Sequence, residues 1–233
     1  MKFGVLRFPG SNCDQDAFHA IKDVLEQPVE YLWHQDHDLR GVDCVVVPGG
    51  FSYGDYLRCG AVARFAPIMA ATQDFAARGG LVLGICNGFQ VLCESHLLPG
   101  ALVRNGGQKF VCKQIYLRTE TNGTPFTNAL TLGQVLQVPV AHGEGNYVCD
   151  DATLAELQAG NRVLFRYCDA DGQISSHSNP NESRDHIAGI VSAQGNVMGL
   201  MPHPERATDP RLGSGDGRLI FESLLRCAVT AWD

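Results

Sequence analysis

Cys86 stands in Gly84-Ile85-Cys86-Asn87-Gly88, between the unbroken apolar run Leu81–Ile85 and a segment patterned as a helix, Asn87–Ser95. The spacing is that of the nucleophile elbow G-x-S-x-G, with a thiol in place of the hydroxyl. At such a turn backbones come close together and side chains at the glycine positions would clash, so the glycines carry a steric requirement. The turn lifts the sulfur above the carboxyl edge of a sheet, where open α/β sheets place their sites. The start of the helix below it favours the thiolate. The bland alternative is a buried cysteine in a tight turn, and the strand–turn–helix context favours the nucleophile.

A thiol nucleophile needs a base, and the base needs a group that orients it. Met201-Pro202-His203-Pro204-Glu205-Arg206 follows the apolar run Val197–Leu200, so it too falls at a strand end. Its prolines exclude helix and stiffen the segment. His203 and Glu205 are near enough in sequence for the carboxylate to hold the imidazole. The chain order Cys, His, Glu is no obstacle, because triads assemble in space. A third segment, Val47-Pro48-Gly49-Gly50-Phe51-Ser52-Tyr53-Gly54-Asp55, places glycines directly after a buried strand. There one backbone N–H left free by the glycines, paired with that of Asn87, would make an oxyanion hole. A plain βα turn is the competing reading of the same glycines.

The elements that must carry these residues follow from periodicity. In the first half, Lys2–Phe8, Val29–Trp33, Asp43–Val47 and Leu81–Ile85 read as strands, separated by helices over Asp14–Glu26 and Cys59–Arg78. Continuous rather than alternating apolar strands are those covered on both faces. The second half is strand-rich: Phe110–Thr119, Gln134–Val140, Arg162–Cys168, His186–Val191 and Val197–Met201, with helices over Ala152–Ala159 and Gly217–Thr230. The expected fold is therefore α/β and doubly wound, with a mostly parallel central sheet, helices on both faces, and a single domain over residues 1–233. Asp169–Arg184 reads as a loop.

Composition narrows the function. The 233 residues contain 18 Lys plus Arg against 25 Asp plus Glu, a formal charge of −7. That balance argues against binding nucleic acid or an anionic membrane surface, both of which recruit cationic patches. No apolar stretch is long enough to span a bilayer, and no secretory leader is evident. Nine cysteines, an odd number in a chain too large to need staples, point to thiols in the reducing cytoplasm. No Cys-x-x-Cys or His-x-x-x-His pair occurs at zinc spacing, so no metal site is expected.

Five blocks occur in order: Pro9-Gly10-Ser11-Asn12-Cys13-Asp14, the run from Pro48 through Asp55 to Gly60, Cys86-Asn87-Gly88-Phe89-Gln90, Ala141-His142-Gly143-Glu144-Gly145-Asn146-Tyr147, and Met201 to Arg206. With them the chain resembles the class I glutamine amidotransferases, and among these the small glutaminase subunits of phosphoribosylformylglycinamidine synthases of purine biosynthesis. The resemblance covers essentially the whole chain. It implies that Cys86 attacks the amide carbon of L-glutamine, that His203 moves the protons, and that Glu205 orients His203. It further implies oxyanion N–H groups from Gly50 and Asn87, and glutamine binding by Gln90 and by the backbone of His142 and Gly143. A satisfied strand-end histidine is the equal alternative for His142. Arg58 and Asp55 fit either the site or a partner interface.

The same resemblance implies a separate synthetase subunit as partner, with or without a third small subunit. No phosphate-binding loop of the G-x-x-x-x-G-K-[ST] kind is present. ATP and magnesium are therefore expected on the synthetase, with no cofactor on this chain. One departure is visible: Asn181-Glu182-Ser183 stands where the family has Asn-Gly-Ser, which puts the conformation of that loop in question. Two alternatives stay open at this point. One is another thiol hydrolase of the same fold, peptidase- or deglycase-like; the other is a non-catalytic binding module.

Overall fold

A computed structural model describes residues 1–230; residues 231–233, the end of the expected domain span, lie outside the described residues. Eleven strands are formed among the described residues: β1 (Phe3–Arg7), β2 (Val29–Trp33), β3 (Cys44–Val47), β4 (Leu81–Ile85), β5 (Ala101–Val103), β6 (Val111–Thr119), β7 (Val135–His142), β8 (Asn146–Val148), β9 (Val163–Cys168), β10 (Ile187–Val191) and β11 (Val197–Leu200). The helices are α1 (Asp14–His19), α2 (Pro67–Ala77), α3 (Asn87–Glu94), α4 (Asp151–Ala159) and α5 (Arg218–Thr230). Nine strands join in one sheet of order β2-β1-β3-β4-β11-β10-β9-β6-β7, and β5 pairs with β8 in a small second sheet.

The sheet changes character along its width. From β2 to β11 every pairing is parallel, and from β11 to β7 every pairing is antiparallel. The sequence pattern changes with it. β3 is buried along its whole length, Cys44 to Val47, as a strand covered on both faces must be. In β7 burial alternates residue by residue, the signature of a strand with one covered face. α1 packs on β1 and β2, and α3 on β3, β4 and β11. Chain order departs from β1 in opposite directions, to β2 on one side and β3 on the other. That reversal is the switch point at which open sheets of this kind form a crevice beyond their carboxyl ends.

The segment expected as one helix over Cys59–Arg78 is divided. A single 3₁₀ turn covers Ala63–Phe65, and α2 begins only at Pro67. Proline has no N–H to continue a helix from the preceding turn, and it forces the residue before it out of the helical region. Ala66 accordingly has ψ 139° and Pro67 opens the new helix. The helix expected over Asp14–Glu26 likewise changes winding after His19, running through a π-helical turn at Ala20–Val24. The two short strands of the second sheet, β5 and β8, carry too little periodicity to be read from sequence.

Candidate active site

Gly84 and Gly88 are glycines for the reason the spacing gives. A Cβ on Gly88 would lie 1.9 Å from the carbonyl oxygen of Val47, and one on Gly84 2.9 Å from the backbone of Gly88. Neither position admits any other residue without moving backbone. Between them Cys86 has φ 52° and ψ −106°, a conformation sparsely populated by residues with a Cβ and found where a site is held by its surroundings. Its N–H donates to the carbonyl of Leu200 in β11 at 2.8 Å. The elbow is thereby tied to the strand that leads into His203.

His203 and Glu205 follow β11 and are buried, with His203 Nδ1 at 2.6 Å from Glu205 Oε1. His203 Nε2 is buried without a hydrogen-bond partner, and the Cys86 sulfur, which lines the same cavity, acts on the ring electrostatically. Burial works against the imidazolium, but the Glu205 carboxylate and then the Cys86 sulfur outweigh it, so the imidazole is held well above its usual range, up to about 10. A carboxylate on one nitrogen and a sulfur beside the other is the arrangement a thiol general base requires.

A cavity of about 360 Å³ opens onto these groups. Its walls come from the turn after β1 (Asn12, Cys13), the loop after β3 (Gly50, Phe51, Asp55, Cys59), the elbow (Cys86, Gln90), Arg104, the end of β7 (Ala141, His142, Gly143, Glu144) and the segment after β11 (His203, Arg206). Gly50 has φ 131°, and a Cβ there would lie 2.6 Å from the backbone nitrogen of Asn12. Asn87 opens α3, so its N–H belongs to the first turn, whose donors have no acceptor within the helix. Cations at Arg104 and Arg206 and the carboxylate at Glu144 suit a small zwitterionic ligand, while the Asp55 carboxylate is turned to Asn87 Nδ2.

Gln90 lines the cavity but spends its amide inside the protein: Nε2 donates to the Glu144 carbonyl at 2.6 Å, and Oε1 accepts from Asn87 Nδ2 at 2.8 Å. His142 is buried at the end of β7 and pushed down to about 4 by that burial, with His203 adding to the effect. It is held as a neutral ring between Asn105 Oδ1 at 3.1 Å and Asn181 Nδ2 at 3.4 Å. The carbonyls of His142 and Gly143 both accept from Asn105, through Nδ2 and the backbone N–H, each at 2.9 Å.

Sequence reasoning missed three of these residues. Asn105, fully buried, organises the turn from His142 to Gly145 from 37 residues away, and nothing local marks it. Asn181 donates to the carbonyl of Gly145 at 2.8 Å and to the Tyr167 hydroxyl at 3.2 Å. Cys13 is buried in the cavity wall and receives a hydrogen bond from Arg206 Nη2 at 3.0 Å; burial pushes its thiol up to about 12 against the pull of Arg206. Its place in the turn after β1, at the carboxyl edge of the sheet, was the available signal. Among the described residues, Cys13, His203 and Glu205 are the one group whose ligating atoms lie close enough, within 4.8 Å, to hold a metal ion.

The departure at Glu182 is accommodated. Glu182 takes φ 62°, the left-handed region a glycine would enter without cost, and its carboxylate lies over Gly106. Asn181 and Ser183 on either side keep their buried hydrogen bonds, Ser183 Oγ donating to the Ile187 carbonyl.

An elbow cysteine beside a buried His–Glu pair, at the carboxyl edge of a parallel sheet, is the arrangement of a thiol-nucleophile site on a doubly wound α/β fold. Comparison with known proteins places it further. Residues 1–214 match the CobB/CobQ-like glutamine amidotransferase domain, and the chain belongs to that family. It is 60% identical to the phosphoribosylformylglycinamidine synthase subunit PurQ of Koribacter versatilis, over 97% of each chain. To the PurQ subunit of Salinibacter ruber it is 61% identical, over 96% of this chain and 95% of that one. Among solved structures, a chain of PurLQS from Thermotoga maritima superposes with a TM-score of 0.86 at 42% identity, over 97% of this chain and 98% of that one.

Proposed function

We propose that this protein is the glutaminase subunit of a phosphoribosylformylglycinamidine synthase and works with a separate synthetase subunit. The observation that carries the reading is the Cys86 elbow, set against the buried His203–Glu205 pair in a chain with full-length kinship to PurQ subunits. His203 takes the Cys86 thiol proton, and the sulfur attacks the glutamine amide carbon. The N–H groups of Gly50 and Asn87 stabilise the oxyanion that forms. His203, held by Glu205, gives a proton to the departing nitrogen as the C–N bond breaks, leaving a thioester and ammonia. His203 then takes a proton from water, which attacks the thioester; glutamate leaves and His203 returns the proton to the Cys86 sulfur, restoring the thiol. Gln90 and the His142–Gly143 segment form the wall against which glutamine lies.

Ammonia is mostly protonated at neutral pH and then cannot attack, so it has to reach its acceptor without mixing with bulk water. The synthetase therefore sits over the mouth of the cavity. Phe51 and Phe110 line that cavity and are exposed, and Tyr56 (75% exposed) and Leu57 (94%) directly follow its Asp55. Apolar surface of this kind around a site marks a contact. ATP and magnesium belong to the synthetase, and the whole works in the cytoplasm. No described helix is long and apolar enough to cross a membrane.

The test is glutamate release from L-glutamine by the purified chain, with and without the synthetase subunit. Turnover is expected to be weak alone and to rise in the complex. Equal turnover in both would overturn the division of labour, and none in either would overturn the glutaminase reading. The peptidase-like and binding-module alternatives have no observation in their favour.

A further inference from the structure

The loop after β3 is strained and sits at the rim. Tyr53, Gly54, Asp55 and Leu57 all have positive φ, 56°, 72°, 54° and 71°. Three of the four carry a Cβ, and such a run persists only where contacts hold it. The contacts are few and specific. Tyr53 donates its backbone N–H to the Pro9 carbonyl, and its hydroxyl meets His34 Nδ1 at 2.6 Å. Ser52 N–H donates to Asn87 Oδ1 at 3.1 Å, and Asn87 Nδ2 donates in turn to Asp55 Oδ1 at 3.2 Å. Asp55 also interacts with Cys59 at the far end of the loop, and both line the cavity.

Asn87 is the residue that follows the nucleophile. Its backbone N–H is one of the two oxyanion donors proposed above, while its side chain is clasped on both sides by the strained loop. Its remaining contact, with Gln90 Oε1, leads into the cavity wall. The two residues directly after Asp55, Tyr56 and Leu57, are exposed and apolar. Whatever covers them acts on a segment whose bonded connection to the elbow runs through Asn87.

We propose that Asp55 is a positioning residue that couples occupation of the Tyr56–Leu57 tip by the synthetase to the geometry of the Cys86 elbow, through the side chain of Asn87. The proposal rests on the reading above that a synthetase docks on this rim and raises glutaminase turnover. A partner can shift the loop only by binding one of its conformations better than another, and the strained backbone supplies the alternative. The Asp55 carboxylate does not touch the reacting atoms; its effect is felt in the placement of Asn87.

Three variants separate this role from a merely structural one. Asp55→Ala removes the acceptor; Asp55→Gly removes it while relieving the positive φ; Asp55→Asn keeps an oxygen in place and tolerates the left-handed region. The readout is kcat and KM for glutamine, free and at saturating synthetase, with the affinity for the synthetase measured separately. In the Ala and Gly variants the ratio of complexed to free kcat is expected to fall about tenfold or more, with KM and synthetase affinity little changed, and Asp55→Asn should restore it. A wild-type activation ratio in the Ala and Gly variants would overturn the proposal, as would its loss in all three variants alike. If the unsubstituted chain shows no activation, the docking reading has failed instead, and that arm contains no substitution.

Discussion

Replacing Glu205 with Gln removes one negative charge from a buried pair while leaving an oxygen that can accept the His203 Nδ1 proton. The two groups are 2.6 Å apart, and their side chains are 1% and 0% exposed, so solvent does little to screen them. With charge centres about 4 Å apart and an effective dielectric constant of about 20, the lost attraction is ~4 kcal/mol. The imidazolium that carries the thiol or water proton, and that protonates the departing nitrogen, loses this stabilisation, which should lower kcat on the order of 10³-fold. The same kind of change in a serine-protease triad costs about 10⁴. KM should change little, because Glu205 does not line the cavity against which glutamine lies. The assay is steady-state glutamine hydrolysis in the complex with the synthetase, with the rate of Cys86 alkylation followed against pH. Alkylation near neutral pH should slow, because the imidazolium that supports the thiolate is weakened. A Glu205→Gln enzyme that keeps kcat within about threefold of wild type, under 1 kcal/mol, would refute the triad role.

Other outcomes follow from the same geometry. Gly88→Ala sets a Cβ 1.9 Å from the Val47 carbonyl oxygen and should cost about 1–3 kcal/mol or more; an unchanged Tm would contradict the steric reading of the elbow. Glu182→Gly relieves a left-handed residue, worth roughly 1–2 kcal/mol, but frees the unfolded chain by about 0.4–1 kcal/mol. Its Tm should therefore stay level or rise by a few degrees with activity retained, and a marked drop would show that the Glu182 side chain supports the loop. Leu57→Asp should weaken synthetase binding about tenfold or more in a titration, with Tm unchanged. His203 is held above its unfolded value, so its contribution to stability is complete below about pH 6.5 and is lost as pH rises toward 10. Thermal denaturation across that window should fall more steeply for wild type than for Glu205→Gln.

Much of the site was legible because its parts are local. The elbow is encoded in five consecutive residues, and the base and its carboxylate lie two residues apart after a buried strand. β3 and β4 announced themselves as unbroken apolar runs, but β9, β10 and β11 are buried just as continuously, so the switch to antiparallel pairing left no mark in their pattern. What escaped was non-local or determined by one residue's stereochemistry. Asn105 supports His142 across 37 residues and Arg206 reaches Cys13 across 193, and no spacing rule reports such pairs. The break before α2 was written in Pro67 but masked by the apolar pattern on either side. Asp55 could not be assigned from sequence because its role depends on a loop with four positive φ values. Glu182 shows the reverse case: the sequence flagged a lost glycine, and the fold keeps the left-handed conformation with a glutamate in it.

The central claim is that Cys86, and no other thiol in the cavity, is the nucleophile. Cys13 makes this a sharp question, since it lines the same cavity and sits with His203 and Glu205 within 4.8 Å. The direct measurement is peptide mapping by mass spectrometry after reaction with an electrophilic glutamine analogue, alongside glutamate release. A single adduct is expected on Cys86, blocked by excess glutamine, with no glutamate formed by Cys86→Ser. An adduct on Cys13, or glutamate release surviving Cys86→Ser, would contradict it.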